Sequence, residues 1–233
     1  MKIIDLNADL GEGMPHEQEI LPLISSANIC CGAHAGSPEI TRATVISCLR
    51  LGIRIGAHPG YPDPEHFGRR SISELDLTPL EILSSLETQI LSVPQARYIK
   101  PHGAFYTESS TMWQTDEEPC YTSWLLLQDI LFSTQLPLLG LADTPHEINS
   151  KATSVKFIRE GFIDRRYDNN HRLLPRSNPE AIIHDPQEAI DQALRLAETC
   201  DSLCVHGDNP NAPELLTKVR SALESGGYTI APK

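Results

Sequence analysis

The chain of 233 residues has no apolar run approaching the roughly 18 residues that a membrane-spanning helix needs. Its first residues, Met1-Lys2-Ile3-Ile4, pass directly into Asp5, Asn7 and Asp9, without the apolar stretch of a secretory leader. A cytoplasmic location is therefore expected, with no membrane partner. The six cysteines (Cys30, Cys31, Cys48, Cys120, Cys200 and Cys204) include no C-x-x-C pair. A chain this long and 40% hydrophobic does not need disulfide staples, so they read as small buried side chains in a reducing compartment. Neither G-x-G-x-x-G nor G-x-x-x-x-G-K-[ST] follows any apolar run, so the usual loops for dinucleotide and P-loop nucleotide binding are missing. Basic residues are outnumbered, 19 against 31 acidic, for a formal net charge of −12. That field repels nucleic acids and anionic membranes. A small anion can still be held where a few arginines and lysines gather locally.

What the sequence does contain is a repeated ending. Four short apolar runs close on a histidine beside small or turn-forming residues: Ile29-Cys30-Cys31-Gly32-Ala33-His34, Ile53-Arg54-Ile55-Gly56-Ala57-His58-Pro59-Gly60, Tyr98-Ile99-Lys100-Pro101-His102-Gly103 and Leu203-Cys204-Val205-His206-Gly207-Asp208. Such runs read as buried strands entering loops. Their histidines meet only if the strands are parallel, at the mouth of an α/β sheet or barrel, where these folds place their chemistry.

The remaining punctuation agrees. Strands are expected over 2–6, 26–30, 54–57, 97–100, 138–142, 155–158 and 203–205. Helices begin at Ser37-Pro38, Thr78-Pro79-Leu80-Glu81, near Glu117, at Thr144-Pro145, at Asp185-Pro186 and near Asn211, each with a cap or a proline in the first turn. Leu80, Leu83, Leu86 and Ile90 mark the inner face of one helix, and Tyr121, Trp124, Leu125 and Gln128 one side of another. Segment 107–115 reads as a polar lid. Strand and helix alternate without a linker, which implies right-handed βαβ units in a single domain over 1–233.

Candidate chemistry concentrates at the strand ends. Asp9, His34, His58, His102 and His206 are the candidate catalytic set, able to shuttle protons or, for Asp9, His34 and His58, to hold a divalent metal. Asn7 and Glu12 flank Asp9. Lys100 lies two residues before His102, on the same face of an extended chain. Arg69 suits a carboxylate or phosphate through bidentate pairing, the Asp164-Arg165 pair could do likewise, and Asp208 suits a base or a histidine orienter. Together Asn7, Glu12, Arg69, Lys100, Asp164, Arg165 and Asp208 form the expected substrate- or phosphate-binding set.

Eight segments in order resemble one family. They are Asp5-Leu6-Asn7-Ala8-Asp9-Leu10-Gly11-Glu12-Gly13, Ser26-Ala27-Asn28-Ile29-Cys30-Cys31-Gly32-Ala33-His34-Ala35-Gly36, Ile55-Gly56-Ala57-His58-Pro59, Phe67-Gly68-Arg69, Lys100-Pro101-His102-Gly103-Ala104-Phe105-Tyr106, Asp164-Arg165-Arg166-Tyr167, Leu174-Pro175-Arg176 and Val205-His206-Gly207-Asp208. The chain resembles the LamB/YcsF lactam-utilisation proteins, known as the A subunit of prokaryotic 5-oxoprolinase. The resemblance implies a distorted seven-stranded parallel β/α barrel, TIM-barrel-like and related to sugar deacetylase barrels. It also implies ATP-dependent opening of 5-oxo-L-proline to L-glutamate, with ADP and phosphate as products and 5-oxoprolinase subunits B and C as partners. ATP is the implied cofactor, with a divalent metal either as magnesium on ATP or at the site. Small departures fall at Ala33, Ile163 and segment 170–173. Two rival readings stand beside this one: a stand-alone metal-dependent amidohydrolase or carbohydrate deacetylase, and a non-catalytic substrate-binding subunit.

Overall fold

Nine residues, Lys2–Leu10, form β1, the central strand of the molecule. The computed structural model describes residues 2–169 and 172–233, so Asn170 and His171, within the departing segment 170–173, lie outside the described residues. After β1 come α1 (Glu17–Ile20), β2 (Ser26–Cys30), α2 (Pro38–Leu51), β3 (Arg54–His58), α3 (Pro79–Leu91), α4 (Gly103–Ser109) and α5 (Pro119–Thr134). The second half supplies β4 (Leu138–Leu141), α6 (Pro145–Thr153), β5 (Phe157–Phe162), α7 (Pro186–Leu196), β6 (Ser202–Val205), α8 (Ala212–Ser225) and β7 (Tyr228–Ile230).

These strands pair in parallel throughout, in the order β3-β2-β1-β6-β5-β4. The two edges are joined through Ile99, which bridges Ala57 of β3 on one side and Leu138 of β4 on the other. Lys100 N–H donates to Ala57 O at 3.0 Å, and Leu139 N–H donates to Ile99 O at 2.8 Å. The strand expected over 97–100 is thus reduced to a single bridging residue, because Pro101 has no N–H with which to continue a ladder. The ring has six strands plus this stave, which is the distorted seven-stranded parallel barrel. β7 lies off this path and pairs with Lys2–Ile4 at the start of β1.

Local chemistry sets the helices. The Ser37 side chain accepts from Ile40 N–H, and Gly52 closes α2 in the left-handed conformation. Thr78 and Glu81 form a reciprocal capping box at α3. Several boundaries differ from the sequence reading. β1 continues past residue 6 to Leu10, and β5 lies at Phe157–Phe162 rather than 155–158, because polar residues face the barrel interior and break the apolar run. The first residues of the expected lid, 107–109, belong instead to α4, with Ser109 buried. Leu80 points outward at 74% exposure, while Ile82, Leu86 and Ile90 face the core. α5 packs through Leu126, Leu127, Ile130 and Leu131, whereas Tyr121 and Trp124 gather with Trp113.

Alternation along β1 divides its side chains. Ile4, Leu6, Ala8 and Leu10 join the main apolar core between sheet and helices. Asp5, Asn7 and Asp9 form a buried polar column inside the barrel. The Asp5 carboxylate accepts from Ser25, Ser26, Ser202 and Arg54 at 2.6–2.7 Å. Asn7 donates to Ser202 Oγ at 2.8 Å and accepts from Asn28 at 2.8 Å. Asn28 also donates to Asp9 Oδ1 at 2.8 Å and accepts from the Tyr98 hydroxyl at 2.6 Å. The column satisfies its own polar groups, as a buried network must.

This packing makes Gly56 and His146 sensitive positions. A Cβ added at Gly56 would lie 2.2 Å from the Tyr98 ring, which is fully buried and held by Asn28 and by the Arg54 guanidinium 4.9 Å from its centroid. Gly56→Ala should therefore cost about 1–3 kcal/mol in denaturant unfolding; unchanged stability would show that the ring can move aside. His146 accepts Leu141 N–H at Nδ1 (3.2 Å) and faces Ser109 Oγ at Nε2 (2.8 Å), and burial pushes its pKa down to about 3. The unfolded chain, with an ordinary histidine, binds this proton near pH 6.5, while the folded chain does not until about pH 3. Stability is complete above pH 6.5 and declines as pH falls through this window, by about 1.4 kcal/mol per unit for this residue. His146→Gln should flatten the pH dependence of unfolding by one proton, and an unchanged slope would refute the assignment.

Candidate active site

The strand ends open into a cavity of about 410 Å³. Asp9 of β1, His58 of β3, Lys100 and His102 beyond Ile99, and Phe162 of β5 reach it from the barrel, and His206 from the end of β6. Phe67 and Tyr106 form walls, and Arg69, Arg165, Arg176 and Asp208 also line it. Tyr61 packs behind the cavity, bonded to Glu108 and Ser123.

Lys100 is the buried cation of the site, only 2% exposed. Its Nζ lies 2.8 Å from Asp9 Oδ1, 3.0 Å from Glu160 Oε1 and 3.1 Å from Cys204 Sγ. Burial alone would lower its pKa, but Asp9, Cys204 and Glu160 hold it well above the ordinary lysine value. Burial likewise opposes the Asp9 charge, yet Lys100 and the neighbouring histidines keep that carboxyl well below the usual range. Glu160 is raised by burial, partly offset by Lys100, and accepts the Tyr106 hydroxyl at 2.8 Å.

Beside this pair, Glu12, His34, His58 and His102 bring one ligand atom each to within 4.8 Å of one another. Glu12 is positioned by the turn after β1, where the Glu17 carboxylate accepts the N–H groups of Gly11, Glu12, Gly13 and Met14 at 2.9–3.0 Å. Glu12 Oε1 lies 3.5 Å from His34 Nε2 and 3.6 Å from His102 Nδ1. The His34 and His102 rings stack at 3.6 Å. Burial, then the neighbouring His58, push His34 down to about 3. His58 falls to about 4 through burial, against the pull of Asp9. His102 is lowered well below the normal value by burial and its two histidine neighbours. At neutral pH the three imidazoles are uncharged and offer lone pairs. Burial and the nearby Asp9 and Asp208 charges raise Glu12 well above the usual carboxyl range. Buried Glu12 Oε1 and both ring nitrogens of His34 have no hydrogen-bond partner among the described residues. Neutral imidazoles and a carboxyl with unmet polar atoms suit a bound cation.

His206 stands outside that cluster. Asp164 accepts from its Nδ1 at 2.9 Å and from its backbone N–H at 3.1 Å, and its ring stacks on Phe162 at 5.1 Å. This fixes Nδ1–H and leaves Nε2 available as a base. A Cβ on Gly207 would fall 2.1 Å from Asp9 O, so this loop approaches β1 too closely for a side chain there. Asp208 accepts from Arg69 at 2.6 Å and Arg176 at 3.2 Å, and Arg69 also lies over Phe67. Burial lowers Arg165 to about 10.

Asp9, Glu12, His58, His102, His206, Arg69, Lys100, Arg165 and Asp208 line the cavity, and His34 stacks directly behind His102. Two expected binding residues do other work: Asn7 belongs to the interior column, and Asp164 orients His206. The converging ligand-like set contains Glu12 and His102 with His34 and His58, while Asp9, also expected there, is bonded to Lys100 and Asn28. Glu160 is a site residue that the sequence reading misses, and Arg176, which stands in one of the eight segments, is one to which it gives no site role. Glu160 is visible only once β5 is placed correctly, since Ile158, Glu160 and Phe162 then alternate inward. Arg176 lies in a loop that has no periodicity to mark it.

The chain is 37% identical to the A subunit of 5-oxoprolinase from Thermus thermophilus, over 97% of this chain and 98% of that one. It is 35% identical to the protein of the same name from Neisseria meningitidis serogroup B, over 99% and 100%. The crystal structure of the lactam utilization protein from Thermus thermophilus superposes with a TM-score of 0.81 at 35% identity, covering 100% of both chains. The fold alone is shared with the catalytic domain of a peptidoglycan N-acetylglucosamine deacetylase from Eubacterium rectale, at TM-score 0.57 and 14% identity, over 100% of this chain and 88% of that one. The family model matches residues 4–233, and the chain belongs to the LamB/YcsF family.

Proposed function

We propose that this chain acts as the A subunit of an ATP-dependent 5-oxoprolinase, opening 5-oxo-L-proline to L-glutamate with subunits B and C in the cytoplasm. The observation that carries this reading is the polarity of one small cavity. Arg69, Arg165 and Arg176 line it along with uncharged histidines and the Asp9–Lys100 pair. A small cyclic amide bearing one carboxylate suits both sets, with its carboxylate on the guanidinium groups and its ring amide toward the histidines.

The chemistry needs such a division. A lactam is a stabilised amide and a poor electrophile. Transfer of the ATP γ-phosphoryl group to the lactam oxygen releases ADP and activates the ring carbon. Water then adds to that carbon, the C–N bond breaks as the nitrogen gains a proton, and hydrolysis of the resulting acyl phosphate yields glutamate and phosphate. His206, held by Asp164, is placed to take the proton from water or give one to the ring nitrogen. The arginines and Lys100 offset charge that develops on the phosphorylated oxygen. With no P-loop in the chain, nucleotide binding falls to the partner subunits or to their interface with this cavity.

The chain alone should show little turnover of 5-oxoproline, and subunits B and C should restore an ATP-dependent reaction. Full turnover by the purified chain without ATP would instead favour the stand-alone amidohydrolase reading, for which the Glu12–histidine cluster provides a metal-type centre. In the assembled enzyme, His206→Ala should lower kcat by about 10²- to 10⁴-fold with an unchanged melting temperature. Wild-type kcat in that variant would remove His206 from the mechanism.

A further inference from the structure

The hydrogen bonds around two of the histidines determine where their protons are. A peptide carbonyl can only accept. His58 Nδ1 lies 2.8 Å from Lys100 O, so this nitrogen carries the hydrogen and Nε2 is a lone pair. His102 Nε2 lies 2.9 Å from Phe67 O, so the hydrogen is there and Nδ1 is a lone pair. These two lone pairs, His58 Nε2 and His102 Nδ1, face each other at 2.9 Å. Two acceptors at that distance repel unless a cation lies between or beside them.

One shared proton would relieve that contact and nothing else. Glu12 Oε1 and His34 Nε2 would still be buried without a hydrogen-bond partner among the described residues, although they lie 3.5 Å apart at the same spot. A single ion serves all four atoms at once. Neighbouring ligand atoms around a tetrahedral ion with bonds of about 2.1 Å are roughly 3.4 Å apart. The spacings of Glu12 Oε1 to His34 Nε2 and to His102 Nδ1, 3.5 and 3.6 Å, are close to that figure, His58 Nε2 to His102 Nδ1 is shorter at 2.9 Å, and all four atoms lie within 4.8 Å of one another. The Lys100 and Phe67 carbonyls are the partners that metal-ligating imidazoles use on their outer nitrogens.

We propose that Glu12, His34, His58 and His102 bind one divalent transition-metal ion of the zinc or cobalt kind, through three imidazole nitrogens and one carboxylate oxygen. Asp9 borders the same spot: its Oδ1 is held by Lys100 and Asn28, and its Oδ2 lies 3.6 Å from His58 Nε2. When bound, such an ion supplies Lewis acidity toward a carbonyl or phosphoryl oxygen in the cavity. That use rests on the cavity being a reaction centre, as proposed above, whereas the binding itself does not.

The test is a titration of chelator-treated full-length chain with cobalt(II) and zinc, without ATP, 5-oxoproline or partner subunits. One equivalent of cobalt(II) should give a visible d–d absorption band, and zinc should displace it. In wild-type protein, zinc should shift the ring nitrogen resonances of His34, His58 and His102 and leave those of His146 and His206 in place. Glu12→Gln should weaken binding by about 10- to 100-fold or more, and His206→Ala should leave it unchanged. Absence of a one-equivalent site, or zinc shifts confined to the exposed histidines, would overturn the proposal. So would a His58–His102 imidazolium signal that persists in excess zinc. Loss of 5-oxoprolinase activity in the assembled enzyme with metal binding intact would count against the functional reading alone.

Discussion

One buried ammonium group organises this molecule's mouth. Lys100 lies inside the barrel with Asp9, Glu160 and Cys204 around its nitrogen and Phe162 beneath it. Taking a lysine out of water is costly, and only close anionic partners make it tolerable. The backbone that carries Lys100 also closes the ring, through the bridges of Ile99 to β3 and β4. Closure of the fold and placement of the charge therefore come from the same short stretch. That stretch lends its Lys100 carbonyl to His58, so the orientation of that imidazole depends on the closure as well.

From that point the site separates into regions of different charge. Asp9 is held ionised by Lys100, and this negative charge, together with burial, disfavours a second one on Glu12. The histidines nearby are kept uncharged by burial and by one another. His206 lies apart, aligned by Asp164, and the arginines meet Asp208. A protein with net charge −12 thus gathers three arginines, Arg69, Arg165 and Arg176, along one cavity. Below, the column from Asp5 to Asp9 ties β1 to β2 and β6 through side chains as well as backbone, and to β3 through the Arg54 side chain.

Much of this is legible in the residues. The runs ending in His34, His58, His102 and His206 place four histidines at strand ends, and the period-two spacing of Asp5, Asn7 and Asp9 marks one inward face. The caps at Ser37 and Thr78 locate α2 and α3 to the residue. What cannot be read follows from tertiary structure. The stave at Ile99 is one residue wide, and no propensity marks a single bridge. Glu160 interrupts an apolar run because its partner, Lys100, lies far back in the chain. Asn7 looks like a ligand-binding residue in sequence, but its amide is consumed by Asn28 and Ser202. Asp164 likewise is spent on His206. Glu12 reads as a site residue, but its convergence with three imidazoles depends on the Glu17 carboxylate folding its turn back.

The claim on which the rest depends is that the Lys100 charge sets the ionisation of its neighbours. Carboxyl carbon resonances of Asp9 and Glu160, followed against pH in the wild-type chain and in Lys100→Met, measure it directly. In the wild type, Asp9 should remain ionised to pH values well below those of an ordinary aspartate. In Lys100→Met burial is no longer opposed by the ammonium, so Asp9 should titrate above the ordinary range, and Glu160 should rise further. Identical titration of Asp9 in the two proteins would contradict the account.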